Sequence, residues 1–186
     1  MVRSRAAILR ATADLLIELG AGGVTIDGVA ERSGVAKTTI YRHWKSRSSL
    51  LFDAFESLLA PSALPTHNGP IRQQLEAILV HFAHGLTSSE WARAVSTLID
   101  GADRDPEMRQ LLRDFLAVRM EPGRDILRAA VERGELRADL DVDEAIAMLV
   151  GPMFYRRFVS RENLDEPFVM QLVDLFLLGA ESSVID

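Results

Sequence analysis

Apolar residues recur about every three or four positions along nearly the whole chain, which is the spacing of amphipathic α-helices. In residues 70–86, for example, Ile71, Leu75, Ile78 and Phe82 fall on one helical face. No stretch of useful length alternates between apolar and polar residues as a strand would. The pattern predicts an all-α protein with about nine helices, over residues 3–20, 26–32, 36–43, 47–60, 70–86, 88–101, 105–133, 142–159 and 165–180.

Two features interrupt this helical pattern. Residues 61–70, PSALPTHNGP, are rich in proline, glycine and polar side chains and form the clearest loop in the chain. Pro122 should interrupt or kink the longest predicted helix, because proline lacks the backbone N–H of an interior helical residue. We therefore predict an N-terminal domain, residues 1–47, joined by the helix over 47–60 to a larger helical domain, residues 48–186.

Residues 25–50 have the spacing of a helix-turn-helix. Thr25 lies where a helix N-cap is expected, and Gly34 can adopt the positive φ that a tight corner between two helices needs. Ile40 falls on the inner face of the second helix. The outward positions of that helix are polar, aromatic or cationic and suit contact with base edges and phosphates. They are Lys37, Thr38, Tyr41 and Arg42.

The charge of the chain changes along its length. The net charge at pH 7 is -6, but residues 1–47 carry eight basic and four acidic residues, a local charge of +4. Of the totals of 21 basic and 27 acidic residues, 13 and 23 remain for the rest of the chain, a charge of -10. Phosphate would attract the first region and repel the second, so an acidic total is compatible with nucleic-acid binding.

Composition narrows the class of protein further. Apolar residues make up 48% of the chain and charged residues 26%, as in folded soluble domains. The chain has no cysteine, which excludes disulfides, zinc–thiolate sites and a cysteine nucleophile. No apolar run reaches the roughly 18 residues that a membrane-spanning helix needs, and the N-terminus lacks the features of a signal peptide. We expect a cytoplasmic protein with no membrane partner.

His81 and His84 lie three residues apart on one predicted helix, a spacing that can ligate zinc. No acidic residue lies at helical reach to complete such a site, since Glu76 is five residues before His81. The polar edge of a ligand pocket, or an ordinary surface or core histidine, is the preferred interpretation. The alternative function is a small helical metal-binding protein or enzyme that uses these two histidines. We expect no metal, no cofactor and no catalytic residue.

Two stretches near the C-terminus, residues 145–158 and 168–179, are apolar on most of their helical faces. A helix that is apolar all round is buried, and two such helices can form a four-helix interface with a second copy of the chain. A purely intramolecular core is the alternative. The candidate interface residues are Met148, Phe154, Tyr155, Phe158, Phe168, Leu172, Leu175 and Phe176.

The stretch over residues 25–50 also resembles the tetracycline-repressor-like (TetR) transcriptional regulators. The motif is long and its spacing is fixed, and two residues, Ala36 and Trp44, depart mildly from the family's commoner serine and phenylalanine. A looser resemblance extends over the C-terminal half of the chain. The matching residues are Thr25-Ile26, Val29-Ala30, Gly34-Val35, Thr39-Ile40-Tyr41, His43-Trp44-Lys45-Ser46 and Ser49-Leu50-Leu51.

This resemblance implies an N-terminal three-helix helix-turn-helix domain that binds DNA and a C-terminal helical domain for ligand binding and dimerisation. It places Lys37 and Thr38 toward the floor of the groove. The phosphate contacts that it implies are Thr25, Tyr41, His43 and Lys45, and Arg42 completes the set of DNA-binding candidates.

In this family the same helices usually enclose a small-molecule cavity. Large apolar residues at helical spacing are core by default, and the resemblance makes some of them candidates for the cavity wall. They are Phe82, Trp91, Leu98, Met108, Leu112, Phe115 and Met120. The resemblance implies a ligand-responsive transcriptional regulator, most often a repressor. It would bind a pseudo-palindromic double-stranded DNA operator as a homodimer and be released by a small-molecule effector.

Overall fold

A computed structural model describes residues 2–58, 69–87 and 89–181, apart from the side chains of residues 2–3 and 89–91. These residues form nine α-helices and no strand, so the predicted all-α fold is confirmed. A 3-10 turn, Ala21–Gly23, follows the first helix, and a π-helical segment, Tyr155–Ser160, follows the eighth. The helices are α1 (Val2–Leu19), α2 (Ile26–Ser33), α3 (Lys37–His43), α4 (Arg47–Leu58), α5 (Ile71–Thr87), α6 (Ser89–Arg104), α7 (Pro106–Glu132), α8 (Val142–Phe154) and α9 (Glu166–Ala180).

The described residues divide into two compact units. The N-terminal unit contains residues 2–58 and 89–116, so α1 to α4 pack together with α6 and the beginning of α7. Helix α1 lies at its centre and contacts α2, α4 and α6. Leu16, Leu50 and Leu98 are fully buried in this unit because each lies on the apolar stripe of its helix.

This N-terminal unit does not follow the predicted division between residues 47 and 48. Helix α6 belongs to it because Ala94, Val95 and Leu98 form a buried stripe on that helix, and α6 packs against α1 and α4. Helical periodicity identifies an apolar face but does not say which other helix covers that face. The predicted loop at 61–70 lies mostly outside the described residues.

The C-terminal unit contains residues 69–87 and 117–181, which form α5, the remainder of α7, α8 and α9. Helix α9 packs against both α5 and α8. Val169, Val173 and Leu177 form its buried stripe. Near the start of α5, Arg72 forms an ion pair with Asp174 of α9. The order of helices in this half of the chain therefore follows the sequence prediction.

Two of the described helices contain a proline: α7 continues through Pro122, whereas α8 ends shortly after Pro152. Helix α7 runs from Pro106 to Glu132 as one helix, so the predicted interruption at Pro122 is not observed. Gly123 and Leu127 are buried on the following turn, and this packing outweighs the one backbone hydrogen bond that proline removes. Pro152 lies near the end of α8, where the helix changes to the π-helical segment.

Among the described helices, none combines the length and the apolar character that crossing a membrane requires.

Candidate nucleic-acid interface

The helix-turn-helix, formed by α2 and α3, is built by the local interactions that its sequence predicts. Thr25 is the N-cap of α2, and its Oγ1 accepts a hydrogen bond from the backbone N–H of Gly28 at 3.0 Å. Helix α2 ends at Ser33, and its C-cap residue Gly34 has a φ of 67°, in the left-handed region that glycine adopts without steric cost. The chain then enters α3 at Lys37. The tight corner between the two helices is therefore a glycine corner, as predicted.

Buried side chains fix the orientation of α3. Val29 on α2 and Ile40 on α3 are both fully buried. Trp44, the residue after α3, is buried as well, and its indole Nε1–H donates a hydrogen bond to Oδ2 of Asp53 on α4 at 2.9 Å. Arg5 of α1 donates to the same oxygen at 2.7 Å and lies 5.7 Å from the centroid of the Trp44 ring. Helices α1, α3 and α4 are thus joined at one carboxylate.

Most of the predicted DNA-binding side chains lie on the surface of this assembly. Tyr41 keeps 53% of its surface exposed although it is aromatic. His43 differs, because its Nε2 is buried without a hydrogen-bond partner among the described residues and its ring packs 5.4 Å from that of Trp44. The structure therefore separates His43 from the exposed candidates, which are Thr25, Lys37, Thr38, Tyr41, Arg42 and Lys45.

An acidic residue also lies at this face. Asp27, in the first turn of α2, forms an ion pair with Lys37 at the start of α3. The hydrogen bond and the charge of Asp27 raise the pKa of Lys37 above its usual value. Both side chains are exposed, so water screens the ion pair and weakens it.

Arg47, at the start of α4, ties the helix-turn-helix to the rest of the N-terminal unit. Its Nε donates to the backbone carbonyl of Val24 at 2.7 Å, and its Nη2 donates to the carbonyl of Ala21. Its Nη1 pairs with Glu107, in the first turn of α7, at 3.1 Å. Sequence reasoning counted Arg47 only as one basic charge, because its partners are separated from it by 23 to 60 positions.

A cavity of about 40 Å³ lies in the C-terminal unit between α5, α7 and α8. Its wall is apolar except for His81 of α5 and Arg119 of α7. Burial lowers the pKa of His81, and the positive charge of Arg119 lowers it further, with a smaller effect from His84. The apolar wall consists of Leu75, Ile78, Leu79, Phe82, Met120, Gly123, Ile146, Leu149 and Val150.

Some of the residues that were predicted to line a pocket lie in the cavity wall, and others lie in the core of the N-terminal unit. Phe82 and Met120 line the cavity of the C-terminal unit. The large apolar residues Leu98, Met108 and Phe115 are instead fully buried in the core of the N-terminal unit, so they are no part of this cavity wall. Leu112 is half-buried in the same unit, and the side chain of Trp91 lies outside the described set. Spacing alone could not distinguish a cavity wall from an ordinary core, since both need apolar faces.

Two family profiles match this chain and together cover most of it. Residues 8–54 match the bacterial regulatory proteins of the tetR family. Residues 65–176, more than half of the chain, match the tetracyclin repressor-like C-terminal domain. The chain belongs to the TetR family of transcriptional regulators.

Individual relatives agree with this assignment over nearly the full length of the regulator. The HTH-type transcriptional regulator YdeS of Bacillus subtilis (strain 168) is 32% identical over 178 residues, 95% of this chain and 89% of that protein. The DNA-binding transcriptional repressor TetR of Mycobacteroides abscessus is 29% identical over 180 residues, 93% and 91% of the two chains. The solved structure of the TetR family transcription regulator SCO0332 is 34% identical with a TM-score of 0.71, covering 95% and 97%.

Several large apolar side chains of the regulator's C-terminal helices are exposed. Of the eight predicted interface residues, Met148, Tyr155 and Leu175 are exposed, and Phe176 is buried in the core of its own unit. The other four, Phe154, Phe158, Phe168 and Leu172, are half-buried. Three further exposed residues, Val159, Met170 and Leu178, were not predicted. When a helix is apolar on most faces, its periodicity does not show which of its residues are exposed.

The two histidines considered as metal ligands have different surroundings in the regulator. His81 lines the cavity, whereas His84 is exposed. Within the part of the chain that the structure describes, no group of three or more His, Asp and Glu side chains is placed to hold a metal ion. The family of transcriptional regulators gives no support to the metal-binding or enzymatic alternative.

Proposed function

We propose that this regulator is a homodimeric, ligand-responsive repressor whose two helix-turn-helix motifs bind a pseudo-palindromic operator. The observation that carries the proposal is the exposed face of α3, with Lys37, Thr38 and Tyr41 pointing outward while Ile40 and Trp44 hold the helix from behind. A helix presented in this way fits the major groove of B-DNA, where side chains of these types contact base edges and phosphates.

The exposed candidates divide into two roles. Thr25 precedes α2, Tyr41 lies near the end of α3 and Lys45 follows α3. These three side chains are suited to phosphates, which position the protein without specifying sequence. Lys37, Thr38 and Arg42 lie on α3 itself and are suited to base edges at the groove floor. His43 contributes by packing against Trp44, since its Nε2 is buried.

The exposed apolar surface of α8 and α9 supports a dimer. Met148 and Tyr155 extend this surface along α8 and the following turn, and Met170, Leu175 and Leu178 extend it along α9. Such a surface is costly in water and self-complementary when a copy related by a twofold axis covers it. A dimer also gives two α3 helices, as a pseudo-palindromic operator with two half-sites requires.

The cavity of the C-terminal unit is the proposed effector site. Helix α7 contributes residues to the cavity wall and, at its first turn, carries Glu107, which pairs with Arg47 of α4. An effector that favours a different position of α7 would therefore change the restraint on α4, which directly follows the helix-turn-helix. The effector would act by shifting the population between a state that fits the operator and one that does not.

Binding to DNA fragments from upstream of the regulator's own gene and neighbouring genes tests this proposal. We expect one fragment to be bound with a large excess of affinity over random DNA at the same salt concentration. If every fragment is bound only weakly and with the same salt dependence as random DNA, the proposal fails.

Two substitutions separate the proposed roles on that fragment. Lys45→Gln should weaken binding to all sequences alike and reduce the salt slope by about one. Thr38→Ala should weaken operator binding by about 1–3 kcal/mol and relax the preference at one base position. Arg137→Gln is the matched control, since Arg137 is an exposed cation in the C-terminal unit that pairs with Asp139.

A further inference from the structure

The cavity of the C-terminal unit combines an apolar wall with a positively charged end. Nine of its eleven lining residues carry no polar side chain, and none of the eleven is acidic. Arg119 supplies a permanent positive charge from α7, and His81 supplies an imidazole from α5. The side of the cavity that α8 forms, with Ile146, Leu149 and Val150, adds no charged group.

This arrangement discriminates between ligands by charge. Burial and the positive charges of Arg119 and His84 lower the pKa of His81, so the imidazole is held neutral beside a fixed cation. A ligand ammonium group would meet repulsion from Arg119. A ligand carboxylate would be attracted to Arg119 and would also favour a proton on His81, giving two charge-assisted hydrogen bonds.

We propose that the cavity binds a small monocarboxylate with an unbranched or compact apolar tail, its carboxylate directed to Arg119 and His81 and its tail lying among the residues of α5, α7 and α8. This inference rests on the proposed function only in taking the cavity as the effector site. The apolar wall makes the tail necessary, because a carboxylate alone would leave that surface without a partner. The charged end selects the head group, because the positive charge of Arg119 attracts a carboxylate and repels an ammonium group.

The size of the cavity limits the tail and identifies the residues that must move. A volume of about 40 Å³ holds about three water molecules or a short part of a hydrocarbon chain. Met120 is the residue of the wall best suited to make room, because its unbranched side chain changes rotamer easily. Gly123 of α7 keeps the space open, since a Cβ at this position would lie 2.9 Å from Cδ1 of Ile146.

Calorimetric titration of the full-length protein without DNA tests the proposal with three probes of equal chain length: hexanoate, hexan-1-ol and hexylamine. We expect hexanoate to bind at least about tenfold more tightly than hexan-1-ol, and hexylamine to bind most weakly. Equal affinity for hexanoate and hexan-1-ol would overturn the proposal, as would no binding of hexanoate.

Substitutions of Arg119 test where the carboxylate binds. Arg119→Met should remove the preference for hexanoate over hexan-1-ol. Arg119→Lys keeps the positive charge and should retain the preference, which shows that the effect of Arg119→Met comes from the lost charge and not from unfolding. Arg128→Met removes the same charge from the same helix at an exposed position that pairs with Glu121 and Asp125, and it should leave the preference unchanged. A preference that survives Arg119→Met would overturn the assignment.

A substitution in the wall locates the tail. Gly123→Ala adds one methyl group toward Ile146 and should weaken hexanoate and hexan-1-ol by a similar factor, at least about tenfold for a methyl that fills the site. Alanine favours a helix more than glycine does, so the helical content and the unfolding midpoint should be retained. Unchanged affinity for both probes would place the tail elsewhere and contradict the proposal.

The pKa of His81 with and without hexanoate can be measured, and it would not change if His81 only supported the fold. Hexanoate should raise the pKa of His81, observed by NMR of the imidazole. By linkage, the affinity for hexanoate should then increase as the pH falls toward the lowered pKa of His81 in the free protein. An unchanged or lowered pKa of His81 on binding would contradict the proposed head-group position.

The outcome with DNA separates this inference from the proposed function. If hexanoate binds with the expected dependence on Arg119 but leaves the operator complex intact, the carboxylate site stands and the effector role fails. If other compounds release the operator while no carboxylate preference exists, the effector role stands and the carboxylate site fails.

Discussion

The indole Nε1–H of Trp44 donates a hydrogen bond of 2.9 Å to Oδ2 of Asp53, and this bond joins the end of α3 to α4. Trp44 is only 4% exposed, so its N–H has lost water as an alternative partner. Arg5 of α1 donates to the same oxygen at 2.7 Å. One carboxylate therefore connects the end of α3 to α1 and α4, the two helices that support it.

Asp53→Ala should destabilise the N-terminal unit by about 1–3 kcal/mol, because the buried indole N–H is left without an acceptor. Asp53→Asn retains an acceptor oxygen and should cause a smaller loss. Urea unfolding followed by tryptophan fluorescence measures both. Equal stability of Asp53→Ala and the unmodified protein would show that the hydrogen bond contributes nothing to the fold.

The ion pair between Asp27 and Lys37 should reduce the affinity of the regulator for DNA, because the DNA must displace the carboxylate from Lys37 and is repelled by its charge. Asp27→Asn should therefore strengthen binding to operator and random DNA alike, with a salt slope larger by about one. Lys37 remains protonated at neutral pH in both proteins, since Asp27 only raises a pKa that is already high.

Glu31→Gln is the control for this experiment. It removes the same charge from the same helix, and Glu31 is also exposed. Anisotropy titrations over a range of salt concentrations measure the slopes. Identical changes from both substitutions would assign the effect to net charge and not to release of Lys37.

The left-handed conformation of Gly34 makes this position intolerant of a side chain. Gly34→Ala should lower the free energy of unfolding by about 1–2 kcal/mol, because alanine at a φ of 67° is strained. Gly22→Ala is the matched control, since a Cβ at Gly22 meets no atom within 4 Å and Gly22 has no positive φ. Thermal unfolding should show a loss only for Gly34→Ala. If Gly34→Ala and Gly22→Ala unfold at the same midpoint, alanine at position 34 is not strained, and the prediction is wrong.

Glu135 should make the stability of the C-terminal unit depend on pH. Its hydrogen bonds with Arg133 and with the backbone N–H of Ile71, the latter 2.7 Å long, lower the pKa of Glu135 below its usual value. A carboxyl whose pKa is lowered on folding stabilises the protein above its unfolded pKa, and this stabilisation is lost as the pH falls through the folded pKa.

Glu135→Ala should therefore cost about 0.5–1 kcal/mol near neutral pH, the usual value for a partly exposed anion at a helix N-terminus. The difference from the unmodified protein should shrink to nothing in acid, below the lowered pKa. Urea unfolding at a series of pH values measures it. If the difference in unfolding free energy between the two proteins is the same at every pH, the charge of Glu135 does not contribute to stability.

The exposed apolar surface of α8 and α9 should form the interface of the proposed dimer. Leu178 has 83% of its surface exposed in the isolated chain, so Leu178→Glu should leave the fold of one chain intact and convert the protein to monomers. Operator affinity should fall with it. Val118→Glu makes the same change at an exposed position of α7 and should leave the dimer unchanged. Size-exclusion chromatography with light scattering distinguishes the outcomes, and a dimeric Leu178→Glu protein would contradict this interface.

Local sequence determined the elements of this protein and the form of its helix-turn-helix. Thr25 caps α2 and Gly34 turns the corner because both effects act within a few residues of the chain. The nine helices follow from apolar periodicity for the same reason. The exposed positions on α3 could be predicted because a helix that buries Ile40 must turn Thr38 and Tyr41 away from its core.

Tertiary structure alone decided which of these helical faces meet. Phe82 borders a cavity and Phe115 fills a core, although both are large apolar residues at helical spacing. Arg47 and Glu107 are paired across 60 positions of sequence, and no local pattern marks either as the other's partner. The reason is physical: periodicity shows that a face must be covered, while the shape and packing of the whole unit select the residue that covers it.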